Sequence, residues 1–144
     1  DMLVVVKKIK KVHIGIFAAA VADFRPKKIY KKKLKKNKLK KIELIENIDI
    51  LKYVGNTKHI RPQVLVGFAA ETDGIQNAKL KLINKKCDLI IYNKINSNNK
   101  VFGSDYNKIS IINNNKIDSY SKMSKVNCAK LIINKIHNLN NNIL

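Results

Sequence analysis

The chain has 144 residues, 45% of them hydrophobic, which suits one domain able to bury a core without disulfides. Its 30 Lys and Arg against 10 Asp and Glu give a formal charge of +20, a balance that favours anionic partners such as nucleic acid, anionic membranes or phosphorylated small molecules. That balance alone selects none of them: Lys, Asn and Ile are enriched together from end to end, as A/T-rich codons would produce. Arginine occurs only at Arg25 and Arg61, and the base-reading arginines and stacking aromatics of nucleic-acid binders are thin. No apolar run is long enough to cross a bilayer, and Met2 to Val6 is too short for a signal peptide. Cys87 and Cys128 lie in apolar surroundings without C-x-x-C spacing, as expected of reduced thiols in a cytoplasmic protein. Asp1 stands where a methionine would start the chain, so the true beginning is expected upstream.

In chain order, Val5, Ile9 and Val12 share helical spacing, which predicts the end of an amphipathic helix feeding a strand at 13–19. The run His13-Ile14-Gly15-Ile16-Phe17 suits a buried strand. Ala18, Ala19, Ala20 and Ala22 then leave little side-chain volume, so a flat ligand could lie against the backbone, with Asp23 as an acceptor at its edge. Arg25-Pro26 is expected to stop the regular structure. Residues 27–41 form a lysine block that reads as a mobile, solvated loop. A strand over 39–46 leads to Asp49, a plausible N-cap for a short helix over 50–54 ended by Gly55-Asn56.

The segment 63–72 repeats the earlier design: an apolar strand, small residues, then an acid. A helix over 74–86 places Ile75, Ala78 and Leu82 on one face, and 88–93 is the next strand. This alternation argues for a mostly parallel, doubly covered sheet. Beyond a loop at 97–100 and a turn-rich stretch at 102–107, the runs 109–112 and 116–120 form a hairpin across Asn113-Asn114-Asn115. Ser121 or Ser124 starts a last helix carried by Val126, Ala129, Ile132/Ile133 and Ile136, and 138–144 reads as a frayed tail. The domain therefore spans 1–137.

Six motifs agree in order and spacing with one family. They are Ala19-Ala20-Val21-Ala22-Asp23-Phe24-Arg25-Pro26, Lys33-Leu34-Lys35-Lys36, Asn47-Ile48-Asp49-Ile50-Leu51, Gly67-Phe68-Ala69-Ala70-Glu71-Thr72, Asp88-Leu89-Ile90 with Asn93, and Phe102-Gly103-Ser104-Asp105 with Asn107; Ala78, Lys81 and Lys85 accompany them. Together they resemble the CTP-dependent phosphopantothenate–cysteine ligase of bacterial coenzyme A synthesis, often the C-terminal half of a protein that also carries a flavin-dependent decarboxylase.

The resemblance implies a Rossmann-like sheet covered by helices with a C-terminal hairpin and helix, the family's first strand and glycine-rich turn lying before position 1. It implies attack of the 4′-phosphopantothenate carboxylate on the α-phosphate of CTP, then displacement of CMP by the cysteine amine. By position, Ala18, Ala19 and Asp23 would form part of the CTP pocket and Phe68 would pack on the cytidine. Ile48, Asp49, Ile50 and Leu51 would wrap the nucleotide, Lys81 and Lys85 would hold phosphates, and Lys33 would be the catalytic lysine. Magnesium would travel with the triphosphate, with no protein-built metal site, and His13, His59 and His137 are left structural. FMN would belong only to a decarboxylase preceding this chain. A homodimer is implied. The chain departs from the family at Ile48, where proline is usual, and at Lys94, where an acid is usual. As it stands it is expected to be an incomplete catalyst. The alternatives are a basic nucleic-acid-binding module using 27–41, or an inactive dimerising remnant.

Overall fold

The computed structural model describes residues 2–30, 32–33, 41–72, 74–95 and 103–141. Most of the lysine block, the 97–100 loop and Phe102 lie outside the described residues.

The chain opens with α1 (Met2–Lys8) and β1 (Ile14–Phe17), then a small ribbon of β2 (Phe24–Pro26) and β3 (Leu44–Glu46). The central part is α2 (Ile50–Asn56), β4 (Val64–Glu71), α3 (Ile75–Asn84) and β5 (Leu89–Lys94). It closes with β6 (Tyr106–Asn107), β7 (Ile109–Ile112), β8 (Ile117–Ser119), β9 (Met123–Ser124) and α4 (Lys125–Asn141). The main sheet has the order β1-β4-β5-β7-β8; β1, β4 and β5 are parallel, and β7 and β8 join antiparallel. The expected hairpin thus extends the parallel sheet.

Two cores follow from the period of two along β4 and β5. Leu65, Ala69, Ile90 and Tyr92 face Leu51 and Val54 of α2 and Ala78 and Leu82 of α3. Val64, Val66, Leu89 and Ile91 face Cys128, Ile132 and Ile136 of α4. Continuous apolar runs such as Val64-Leu65-Val66 are what a strand covered on both faces requires. Each fully buried aliphatic side chain there contributes roughly 1.5–3 kcal/mol.

At the amino-terminal edge the connection is polar. Asp88 takes the Leu65 amide through Oδ2 at 2.6 Å and receives Arg61 on both carboxylate oxygens at 3.1 Å. This joins the start of β4 to the start of β5.

Several expectations are corrected. Among the described residues β1 has one neighbour in the sheet, and Ile14 and Ile16 are 41% and 44% exposed because the residues around α4 pack on β4, β5 and β7. In α1, Val6 packs against the core, while Val5, Ile9 and Val12 are exposed and the helix ends at Lys8. Phe24-Arg25-Pro26 does not stop regular structure: it pairs antiparallel with Leu44–Glu46. Proline is tolerated there at the end of a two-stranded ribbon. The last helix buries Cys128, Ile132 and Ile136, leaving Val126 and Ile133 exposed. Its sequence carries two apolar ridges at i, i+4 spacing, and the sheet takes the one ending in Leu139. That helix continues to Asn141, through part of the expected tail.

Gly55 does not end α2 but lies inside it, where a Cβ would stand 1.9 Å from the Lys85 carbonyl oxygen. Gly55→Ala should therefore destabilise the fold by about 3 kcal/mol, since a backbone atom cannot yield; urea denaturation measures this. Burial pushes the Cys87 thiol up to about 12, and Cys128 upward as well. Both thiols should resist a thiol-specific reagent at neutral pH until denaturant is added.

Candidate functional site

α2 and α3 lie side by side on one face of the sheet, and the groove between them opens beside the end of β4. Its volume is about 340 Å³, and its lining includes Asp49, Lys52, Glu71, Asn77, Lys81 and Lys85. Three ammonium groups face two carboxylates in a protein that has few acids.

Asp49 is held by geometry from both helices. Its Oδ1 accepts the Lys52 amide at 2.9 Å, which caps α2, and its Oδ2 meets Lys85 Nζ at 2.8 Å. Burial raises the Asp49 carboxyl, but the Lys52 amide and the charges of Lys85 and Lys52 outweigh it and hold it below the ordinary value. Lys81 Nζ lies 2.5 Å from Glu71 Oε1. This contact is an ion pair without hydrogen-bond geometry, and Glu71 Oε1 is buried with no hydrogen-bond partner. Lys81 and Lys85, four apart, share one face of α3 as their spacing implies.

The residues singled out from sequence fall in three places. Asp49, Lys81 and Lys85 come together in the groove. Ile50 and Leu51 are buried in the core, so only their backbone could meet a ligand, while Ile48 is exposed. Phe68 is half-buried on the opposite face of the sheet, packed with the α4 core. Ala18 and Ala19 are exposed just after β1, whose last residue Phe17 pairs with Gly67 of β4. Lys33 is exposed and is not one of the described residues that line the groove.

Asn47 ties the Asp23 loop to this region. Its amide donates to the Asp23 carbonyl at 2.7 Å, its Nδ2 donates to the Ala22 carbonyl at 2.8 Å, and its Oδ1 accepts Arg25 at 2.5 Å. The loop after β1 is thereby latched to the turn that leads into Asp49. Asn47, Lys52 and Glu71 were given no role from sequence. Asn47 and Glu71 stand inside quoted motifs, and Lys52 lies three residues after the cap; those positions were the available signals. A groove of about 400 Å³ at the opposite edge contains Lys11, Lys58, Arg61 and Lys86, but none of the motif positions. Among the described residues no group of three or more His, Cys, Asp or Glu could hold a metal ion.

Parallel strands covered on both faces, with a cation-lined groove at the end of the middle strand, define a Rossmann-like α/β domain. The family model of the DNA/pantothenate metabolism flavoprotein C-terminal domain matches residues 1–139, and the chain belongs to that family. It is 42% identical over 127 residues to the coenzyme A biosynthesis bifunctional protein CoaBC of Borreliella burgdorferi, covering 85% of this chain and 31% of that protein. With the protein of the same name from Bacillus subtilis it shares 45% identity over 100 residues, covering 68% and 24% respectively. The crystal structure of the C-terminal domain of a CoaBC protein is similar with a TM-score of 0.69 at 28% identity, over 96% of this chain and 61% of that one. The chain thus spans a third or less of these two bifunctional relatives.

Because Asp49 ionises more readily in the folded state, its contribution to stability is full above the ordinary carboxylate pKa. It is lost as pH falls through the lower folded value. Asp49→Ala should cost about 1 kcal/mol at neutral pH through the lost cap. Asp49→Asn, which keeps a capping oxygen, should cost less and flatten the acid limb of stability against pH, read by urea denaturation across the acidic range.

Proposed function

We propose that this chain carries the CTP-binding part of a phosphopantothenate–cysteine ligase acting in coenzyme A synthesis. The observation that carries the reading is the convergence of Asp49, Lys81 and Lys85 in one groove beside the end of β4. Family membership and the relatives named for coenzyme A biosynthesis support it.

The chemistry asks the protein for fixed positive charge. In the first step a phosphopantothenate carboxylate oxygen bonds to the α-phosphorus of CTP, the bond to the bridging oxygen breaks, and pyrophosphate leaves. In the second, the cysteine nitrogen bonds to the acyl carbon, CMP leaves with the acyl oxygen, and nitrogen gives up a proton. Negative charge moves along the phosphates in both steps, and preorganised cations stabilise it. Lys85 gives one of its three N–H donors to Asp49 and Lys81 meets Glu71 as an ion pair, so donors remain on both for phosphate oxygens. Lys33 would approach the α-phosphate from the segment after β2. Ala18 and Ala19 would let the nucleotide lie against the backbone. Phe68 faces α4, so a cytosine packed on it would lie beyond the strand end, outside the groove. Magnesium enters with the triphosphate as part of the substrate, and the assembly is a homodimer in the cytoplasm.

Calorimetric titration of the chain with CTP, ATP and a short RNA tests the reading. CTP should bind more tightly than ATP, and Lys33→Gln, Lys81→Gln and Lys85→Gln should each weaken it about tenfold, the scale of a charged hydrogen bond. Equal binding of all phosphate-rich ligands, falling steeply with salt, would instead mark a non-specific polyanion binder. Failure to release pyrophosphate from CTP with phosphopantothenate and cysteine in the whole ligase would remove the catalytic claim.

A further inference from the structure

We propose that Glu71 is a positioning residue that sets the Lys81 ammonium towards the groove, a role that rests on the nucleotide reading only for its effect on ligand binding. The two partners differ in how firmly they are held. Glu71 is the last residue of β4; its carbonyl accepts the Ile95 amide at 2.9 Å, and its neighbour across the ladder is Lys94. Its side chain is 14% exposed. Lys81 extends from the last turn of α3 on a flexible stem and is 41% exposed. A fixed, half-buried anion against a mobile cation means that the acid decides where the ammonium sits.

Two further observations point the same way. Glu71 Oε1 is buried without a hydrogen bond, so its compensation comes from the Lys81 charge. The acid is also felt inside the core: burial first, and then the Glu71 charge, push the Tyr92 phenol upward. With 10 acids against 30 basic residues, a carboxylate inside a groove suited to phosphate is costly to electrostatic attraction unless it orders a cation.

The two possible roles of Glu71 differ in sign. If it acted only as a negative charge, Glu71→Gln would make the groove more positive and bind triphosphate more tightly. As a positioning residue, its loss frees Lys81 to swing into solvent, and binding should weaken about fivefold, within the usual coupling range. Glu71→Asp, which keeps the charge, should recover part of the loss. The ligand-independent readout is nitrogen NMR of the lysine ammonium groups, with the Lys81 signal assigned by its disappearance in Lys81→Gln. That signal should be sharp in the parent chain, broadened or lost in Glu71→Gln, and retained in Glu71→Asp. An unchanged Lys81 signal in Glu71→Gln overturns the proposal, as does tighter CTP binding by that variant. If the parent chain shows no CTP binding, the nucleotide reading falls and the ammonium signal alone decides the role of Glu71.

Discussion

The burial of β4 on both faces and along both edges is the constraint from which the rest of the molecule follows. With β1 on one side, β5 on the other and helices above and below, its side chains have to be apolar and its small residues have to be small. A Cβ on Gly67 would lie 2.5 Å from Leu51 Cδ2 and 2.8 Å from Ile90 Cδ1, so glycine there lets the ends of those two side chains close over the strand. The strand's last residue, Glu71, is charged, and it meets the groove. The same packing that gives the domain its core therefore delivers Glu71, Asp49, Lys81 and Lys85 to one place.

The scarcity of acids makes their positions informative. Asp49 and Glu71 each hold a groove lysine, Asp88 receives Arg61 at the opposite edge, and Asp118 sits between Lys116 and Lys135. The Lys135 hydrogen bond, with the help of Lys116, keeps the Asp118 carboxyl below its ordinary value despite the opposing effect of burial. Exposed pairs such as Lys27 with Glu43 contribute little to stability. The pairs in the groove matter for another reason: they fix flexible cations in directions that a ligand could use.

Local signals were enough for the elements whose chemistry is local. The Asp49 cap, the apolar face of α3 at Ala78 and Leu82, the hairpin over Asn113-Asn114-Asn115 and the i, i+4 placement of Lys81 and Lys85 were all readable from spacing. What spacing could not supply was which layer covers which face. His13 to Phe17 reads as a buried strand, yet coverage depends on a neighbour that periodicity does not encode. The last helix has two apolar ridges, and only the sheet's shape selects Cys128, Ile132 and Ile136. In the groove, the pairing of Glu71 with Lys81 spans a strand and a helix, so it emerges from packing and not from order along the chain. The placement of Phe68 on the α4 face follows from strand alternation, which was visible, but its consequence required knowing which helices occupy each face.

Among the described residues no strand lies beyond β1, and its Ile14 and Ile16 are exposed. The free side of β1 presents backbone N–H and C=O groups, so a further strand could extend the sheet there through main-chain hydrogen bonds alone.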